Sequence, residues 1–309
     1  MAVYLVTGGA GFIGSHIVTT LVDRGETVRV LDNLLTGNLR NLRHVEHDIT
    51  MIQGDLRSPD QVREAVRGVE YLLHQAALPS VPRSVRDPVA TNECNVVGTL
   101  NLLVAARDAG VRRVVVASSS SVYGDSEALP KVETMAVSPL SPYAVSKLAT
   151  EQYGIAFWRS FRLETIALRY FNVFGPRQDP HSQYAAVIPR FIDLMRRGER
   201  PTIYGDGEQS RDFTYVDNVV SANVLACAAP QEAVGQVFNC ACNERVSLNR
   251  LTATINELLG TSIAPERAEP RVGEVRHSLA DIGKARRVLG YEVVVPFREG
   301  LVRLVQATA

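Results

Sequence analysis

The stretch Val3-Tyr-Leu-Val-Thr-Gly-Gly-Ala-Gly-Phe-Ile-Gly14 restricts the possible folds of this chain more than any other. An apolar run of strand type ends in a glycine cluster, and an amphipathic helical pattern (Ile13, Ile17, Leu21) begins at once. Strand, glycine turn and helix, in that order, are how a doubly wound sheet seats a dinucleotide pyrophosphate on a helix N-terminus. The glycines permit a tight turn and close approach to phosphate oxygens, where a Cβ would collide with the ligand. Two registers fit: Gly9, Gly11, Gly14 as G-x-G-x-x-G, or Gly8, Gly11, Gly14 as G-x-x-G-x-x-G. Periodicity leaves both open.

A second apolar run, Thr27–Leu31, ends in Asp32, 18 residues beyond Gly14. An acidic residue at the tip of the second strand can accept both ribose hydroxyls and repels a 2′-phosphate, which puts NAD ahead of NADP. Its alternative role is a turn or cap residue before Asn33. Further strand-like runs end at Asp55, Gln75, Ser118 and Arg169, with helical patterns over Asp60–Arg67, Val89–Ala109 and Tyr143–Phe161 between them. Such alternation predicts an α/β fold, a doubly wound (Rossmann) parallel sheet covered on both faces, with ligands at the carboxyl ends of its strands. Past Asn172 the rhythm breaks into turn-rich segments, with helices over Ala186–Arg197 and near Asn218–Ala228 and a strand at Gln236–Cys240. The expected division is a dinucleotide domain of residues 1–172 plus about 217–240 and a smaller C-terminal lobe of about 173–216 and 241–309 that shares its cleft.

Composition excludes several classes. Lys plus Arg equals Asp plus Glu at 33 each, so no charge excess points to nucleic acid or an anionic membrane surface. No run of about 18 apolar residues suggests a membrane span, and nothing reads as a signal peptide, so a soluble cytoplasmic protein is expected. The four cysteines form no C-x-x-C pair and the six histidines do not cluster, so no metal site is expected. Cys240 and Cys242 are expected to share one face of a strand as buried thiols, and His44 and His47 to lie at the surface.

Tyr143-Ala-Val-Ser-Lys147 places a tyrosine and a lysine four apart on one helix face. By itself such a pair is common on solvated helices. Here it follows Ser118-Ser-Ser-Ser121 at the end of a core strand, an odd position for four hydroxyls. A lysine ammonium and a positive nicotinamide ring would together lower the tyrosine pKa. The phenol could then take a proton from a sugar hydroxyl as hydride leaves the same carbon.

Over essentially its whole length the sequence resembles the extended short-chain dehydrogenase/reductases, within them the nucleotide-sugar epimerases of the UDP-glucose and UDP-N-acetylglucosamine 4-epimerase group. The residues that carry the resemblance are Thr7-Gly-Gly-Ala-Gly-Phe-Ile-Gly14, Asp32-Asn33, Gly54-Asp55-Leu56, His74-Gln-Ala-Ala77, Asn95-Val-Val-Gly-Thr99, Ser118–Gly124, Ser141-Pro-Tyr-Ala-Val-Ser-Lys147, Arg169-Tyr-Phe-Asn-Val-Phe-Gly175 and Ser210-Arg-Asp-Phe213. The resemblance implies NAD as cofactor, with Gly8, Gly11 and Gly14 at its phosphates beside Phe12 and Ile13. It implies Asp32 at the ribose, Asp55 and Leu56 at adenine, and Asn33, Gly37, Gln75, Ala76, Ala77 and Asn95 near the cofactor. Tyr170 and Phe171 fall at the nicotinamide end. Ser119, Tyr143 and Lys147 are implied as the catalytic set, Tyr143 as acid/base and Lys147 as the ribose-binding lysine. For a UDP-sugar the resemblance implies Asn172 and Arg211 at the diphosphate, Tyr204 at uracil, Arg271 with Glu274 at phosphate and ribose, and Val187 as a further substrate residue. Ser80, Val81 and Ser120 are implied as substrate-binding, and Ser278 at the sugar. A bidentate guanidinium gives Arg211 its own physical reason, a surface salt bridge with Asp212 being the alternative.

The implied reaction is a concealed redox cycle through a 4-keto sugar, with no net redox change. Ser278 departs from the family pattern, where many 4-epimerases carry a bulky tyrosine shortly before the Ala280-Asp281 pair. Dehydratases and decarboxylases of the family carry acidic residues where Ser120 and Ser121 stand, which argues against both. A UDP-glucuronate 4-epimerase and a catalytically silent NAD-binding protein are the remaining alternatives. A homodimer through the Val89–Ala109 and Tyr143–Phe161 helices is expected, because both carry apolar positions on more than one side.

Overall fold

The computed structural model describes residues 2–179, 186–270 and 276–308. The strands are β1 (Val3–Thr7), β2 (Thr27–Asp32), β3 (Ile49–Gln53), β4 (Tyr71–His74), β5 (Arg113–Ser119), β6 (Glu164–Tyr170), β7 (Val173–Phe174), β8 (Thr202–Tyr204), β9 (Ser210–Asp212), β10 (Thr214–Tyr215), β11 (Gln236–Cys240), β12 (Arg245–Ser247) and β13 (Glu266–Ala268). Seven of them form one parallel sheet in the order β11-β6-β5-β4-β1-β2-β3. Chain order reverses between β1 and β4, and a crevice opens at the carboxyl ends of strands at such a switch point.

Alternate residues of each strand face opposite sides, and both sides are buried. Val6, Val30, Leu73, Val115 and Leu168 meet Ile17, Val18 and Leu21 of α1 (Phe12–Asp23) in one core. Leu5, Leu31, Leu72, Val114 and Val116 form the other core, with Val62 and Ala65 of α2 (Pro59–Val66). A short helix that the sequence pattern did not show, α3 (Val81–Arg86), follows β4, with Ser80 capping it by accepting from Arg83 N. The expected helix Val89–Ala109 is α4 (Pro88–Asn92), a π-helical turn over Glu93–Val97, and α5 (Gly98–Asp108). The widened turn buries the side chain of Asn95.

The long helix α6 (Pro142–Phe161) crosses β5 and β6, and one ion pair fixes it there. Glu151, fully buried, takes Arg169 Nε and Nη2 of β6 on its two oxygens at 2.8 Å each. Ser118 Oγ of β5 donates to the same carboxylate at 2.5 Å. The Arg169 guanidinium also lies 4.6 Å from the centre of the Tyr123 ring. Removing one partner of such a pair leaves an uncompensated buried charge, a loss of about 3–5 kcal/mol.

The later elements are α7 (Val187–Arg196), α8 (Val216–Ala228), α9 (Leu248–Leu259), α10 (Gly283–Leu289) and α11 (Phe297–Ala307). α8 leads back to the sheet through β11, whereas β9 pairs with β12 and β8 with β13 away from it. Asp212 ties this second group together. Its buried carboxylate accepts from Cys242 N at 3.0 Å and Ala280 N at 3.1 Å. β11 ends at Cys240, so Cys242 belongs to the following turn and the two thiols do not share a strand face as expected. Among the described residues no helix is long and apolar enough to cross a membrane.

Candidate active site

The turn after β1 brings the chain back on itself so tightly that a Cβ on Gly14 would lie 2.1 Å from Gly8 O. Only glycine fits there, and it leaves the first turn of α1 open toward the cleft. At the end of β2, Asp32 accepts from Ala10 N at 3.0 Å and Leu34 N at 2.8 Å, so the turn role and a place at the cleft coexist in one side chain. Gly37 packs beside it: a Cβ there would come within 2.9 Å of both carboxylate oxygens. Asp55 holds Arg57 through two guanidinium contacts, at 3.0 and 2.8 Å, and accepts from Asn33 Nδ2 at 2.9 Å. The Arg57 contacts keep this carboxyl well below the usual carboxylate range.

On the opposite wall, Lys147 Nζ donates to Ala117 O at 2.9 Å, and burial lowers its pKa to about 8. Burial pushes the Tyr143 phenol up, while a hydrogen bond with Ser119 pulls it down. The sequence reading expected a lowered phenol. Burial of the phenol explains the difference, and the lowering is left to the positive ring of the dinucleotide. Ser119 Oγ accepts from Ser121 N at 3.2 Å, which leaves its hydrogen for the phenol or a ligand oxygen. Tyr170 OH donates to Gln75 Oε1 at 3.0 Å and accepts from Asn223 Nδ2 at 2.8 Å.

These walls enclose a cavity of about 1080 Å³. Gly8, Gly11, Phe12, Ile13, Gly14, Asp32, Asn33, Asp55, Leu56, Gln75, Ala76 and Ala77 line it, with Ser80, Val81, Ser119, Ser120, Tyr143, Lys147, Tyr170, Phe171, Asn172, Arg211 and Ser278. Gly37 stands behind Asp32, and Asn95 behind the wall, where its amide brackets Leu78. A smaller cavity of about 190 Å³ holds Val187 and Tyr204, and shares Asn172 and Arg211 with the first. Arg211 Nη1 donates to Ser210 O and Arg276 O at 3.0 and 3.1 Å. Arg271 and Glu274 lie outside the described residues. Of the non-glycine residues with positive φ, Ser80 at 125° and Asn172 at 34° line the cavity.

Sequence reasoning missed Lys131, which is buried in the cavity wall and whose ammonium bonds Ser126 O. A single lysine in an irregular connection carries no periodic signal. It also missed Asn223, although a polar residue in the apolar run of α8 was a visible oddity.

The profile of the NAD dependent epimerase/dehydratase family matches residues 4–241. The chain belongs to this family. It is 40% identical over 303 residues to a putative UDP-glucose 4-epimerase of Methanocaldococcus jannaschii, covering 97% of this chain and 96% of that protein. The UDP-N-acetylglucosamine 4-epimerase of Methanobrevibacter ruminantium, solved with UDP-N-acetylmuramic acid, superposes with a TM-score of 0.94 at 40% identity, covering 99% and 98% of the two chains. The UDP-glucose 4-epimerase of Thermotoga maritima, solved with UDP-glucose, does so at 0.94 and 37%, with the same coverage.

As a family member the protein takes NAD, and its residues fit that group. The open first turn of α1 suits a pyrophosphate, the Asp32 carboxylate at the tip of β2 suits a ribose diol, and the cavity runs from there to Tyr143. Replacing Asp32 with alanine removes an acceptor and a negative charge. Fluorescence titration should show weaker NADH binding and a narrower preference over NADPH; an unchanged preference would remove Asp32 from ribose recognition.

Proposed function

We propose that the protein is an NAD-dependent UDP-hexose 4-epimerase that acts on UDP-GlcNAc and UDP-GalNAc as well as on UDP-glucose and UDP-galactose. The observation that carries the reading is Ser278, placed in the same cavity wall system as Ser119, Tyr143 and Arg211. Its backbone is fixed, since Ser278 N donates to Ser210 O at 3.0 Å and the adjoining Leu279 O accepts from Lys131 N at 2.7 Å. A serine at this position leaves space for an acetamido group that a tyrosine would fill.

When bound, NAD supplies the acceptor for hydride from C4 and returns it. The chain supplies the rest. Tyr143 takes the proton of the C4 hydroxyl and gives it back, and Ser119 hydrogen-bonds the same oxygen. Arg211 and Asn172 hold the diphosphate at the junction of the two cavities, with the uracil beside Tyr204. Firm retention of the nucleotide half leaves the sugar half free to present either face. Ser120 and Ser121, being neutral hydroxyls, cannot supply the acid/base pair that dehydration needs.

A second reading, a UDP-glucuronate 4-epimerase, draws on Lys131, an ammonium in the cavity wall that could face a sugar carboxylate. Incubation with a panel of UDP-hexoses, UDP-N-acetylhexosamines and UDP-glucuronate, followed by product separation, decides between the two. Turnover of UDP-glucuronate alone would replace the first reading by the second.

Tyr143→Phe should lower turnover by on the order of 10²–10⁴-fold with the fold and NAD binding retained. Near-normal activity would remove Tyr143 from the chemistry. Ser278→Tyr should abolish conversion of the acetamido pair and spare the other, because overfilling a pocket penalises the bulkier ligand. Equal loss of both would show that this position does not set the range.

A second copy of the chain is the proposed partner for the outer face of α3 to α6. Val85, Val89, Val97 and Val145 are all exposed there. Light scattering at micromolar concentration should give about twice the chain mass of 33.8 kDa. The monomer mass would count against it.

A further inference from the structure

Five buried polar residues, none of them a reacting group, stand in one line of hydrogen bonds through their side chains and the Asn95 carbonyl. Thr7 Oγ1 lies 2.7 Å from His74 Nδ1, His74 Nε2 lies 2.8 Å from Thr99 Oγ1, and Thr99 Oγ1 lies 2.5 Å from Asn95 O. The Asn95 amide then accepts from Leu78 N at 2.7 Å and donates to Leu78 O at 3.3 Å and to Ser146 Oγ at 3.0 Å. Ser146 Oγ donates to Tyr143 O at 2.7 Å. Thr7, His74, Thr99, Asn95 and Ser146 are each at most 3% exposed.

The line has a direction. Two oxygens 2.5 Å apart repel unless a hydrogen lies between them, so the single hydroxyl hydrogen of Thr99 points at Asn95 O. Thr99 Oγ1 is therefore the acceptor toward His74, which puts the imidazole hydrogen on Nε2. Nδ1 is then left to accept from the Thr7 hydroxyl, whose oxygen also accepts from Ala76 N at 3.4 Å. A second hydrogen on Nδ1 would leave the Thr7 hydrogen without an acceptor in a buried place. Burial, together with the charge of the Lys147 ammonium, acts the same way and lowers the imidazole to about 3.

We propose that His74, neutral and with its hydrogen on Nε2, is a positioning residue for the reaction. It joins the carboxyl end of β1 to the π-helical turn at Asn95, and Asn95 in turn holds both the Leu78 loop and the first turns of α6. The gap between the dinucleotide loops and the Tyr143 phenol is set by this line, not by the backbone of any one element. The kinetic part of the claim rests on the epimerase reading; the tautomer does not.

The test therefore has two arms. In spectra of the wild-type protein carrying ¹⁵N-histidine, His74 should show hydrogen on Nε2 and none on Nδ1, unchanged between about pH 8 and about pH 5, where an ordinary histidine titrates. Hydrogen on Nδ1, or titration in that range, overturns the proposal whether or not any variant folds. In the kinetic arm, His74→Phe should lower kcat roughly 10–100-fold, the scale of a small misplacement of reacting groups, with KM for the sugar nucleotide within about threefold. His74→Gln, which can accept and donate at the two ends, should recover part of the loss. A kcat for His74→Phe within about twofold of wild type, or a glutamine variant no better than phenylalanine, overturns it. No turnover of any UDP-sugar by the wild type would sink the epimerase reading, and the spectra would still decide the state of His74.

Discussion

The Glu151 carboxylate is the point on which the reacting half of the molecule hangs. It lies one turn after Lys147 on α6, and its oxygens take Arg169 from β6 and Ser118 from β5. A helix packed on a sheet by apolar contacts alone can slide or rotate by part of a turn at little cost. A bidentate guanidinium pair with a third donor cannot, because each partner left behind would be a buried group without its mate. Three elements are thereby locked in register, and each contributes a neighbour of the locked residue to the cleft: Tyr143 and Lys147 from α6, Ser119 from β5, Tyr170 from β6. The charge is spent on alignment, and the cavity wall one and two turns away depends on it.

A similar economy governs the far side of the cleft. Asp212 is fully buried and turns its oxygens to the backbone of two separate connections, at Cys242 and Ala280. Arg211, its neighbour in sequence, points the other way into both cavities. Adjacent strand residues face opposite sides, so the acidic residue holds the frame and the basic one lines the cavities without competing for each other.

Much of this was legible beforehand for physical reasons. The glycine turn, Asp32 at a strand tip and the Tyr143–Lys147 spacing are local patterns, and local patterns survive in one dimension. The helix bounds shifted by a residue or two, and β11 over Gln236–Cys240 matched. What did not read out depends on contacts between distant segments. Nothing near Asn95 announced that a π-helical turn would draw it behind the wall to bracket Leu78. Nothing near Lys131 announced that its strand-like segment would lie against Ala280 and so border the cavity. The burial that raises the Tyr143 phenol was equally illegible, since burial is a property of the packed fold and not of the spacing to Lys147.

Among the described residues, the two cavities meet where Asn172 and Arg211 belong to both. On the proposed reading, a ligand reaching from one to the other is a pair of weak binders joined by a tether. Each end, once seated, raises the effective concentration of its other end at the second cavity, and this gain is lost if the tether cannot span the gap. The junction then works as a ruler. A free nucleotide or a free sugar phosphate engages one half and forgoes the multiplication, so the cleft selects for the length of the linkage as much as for the groups it joins.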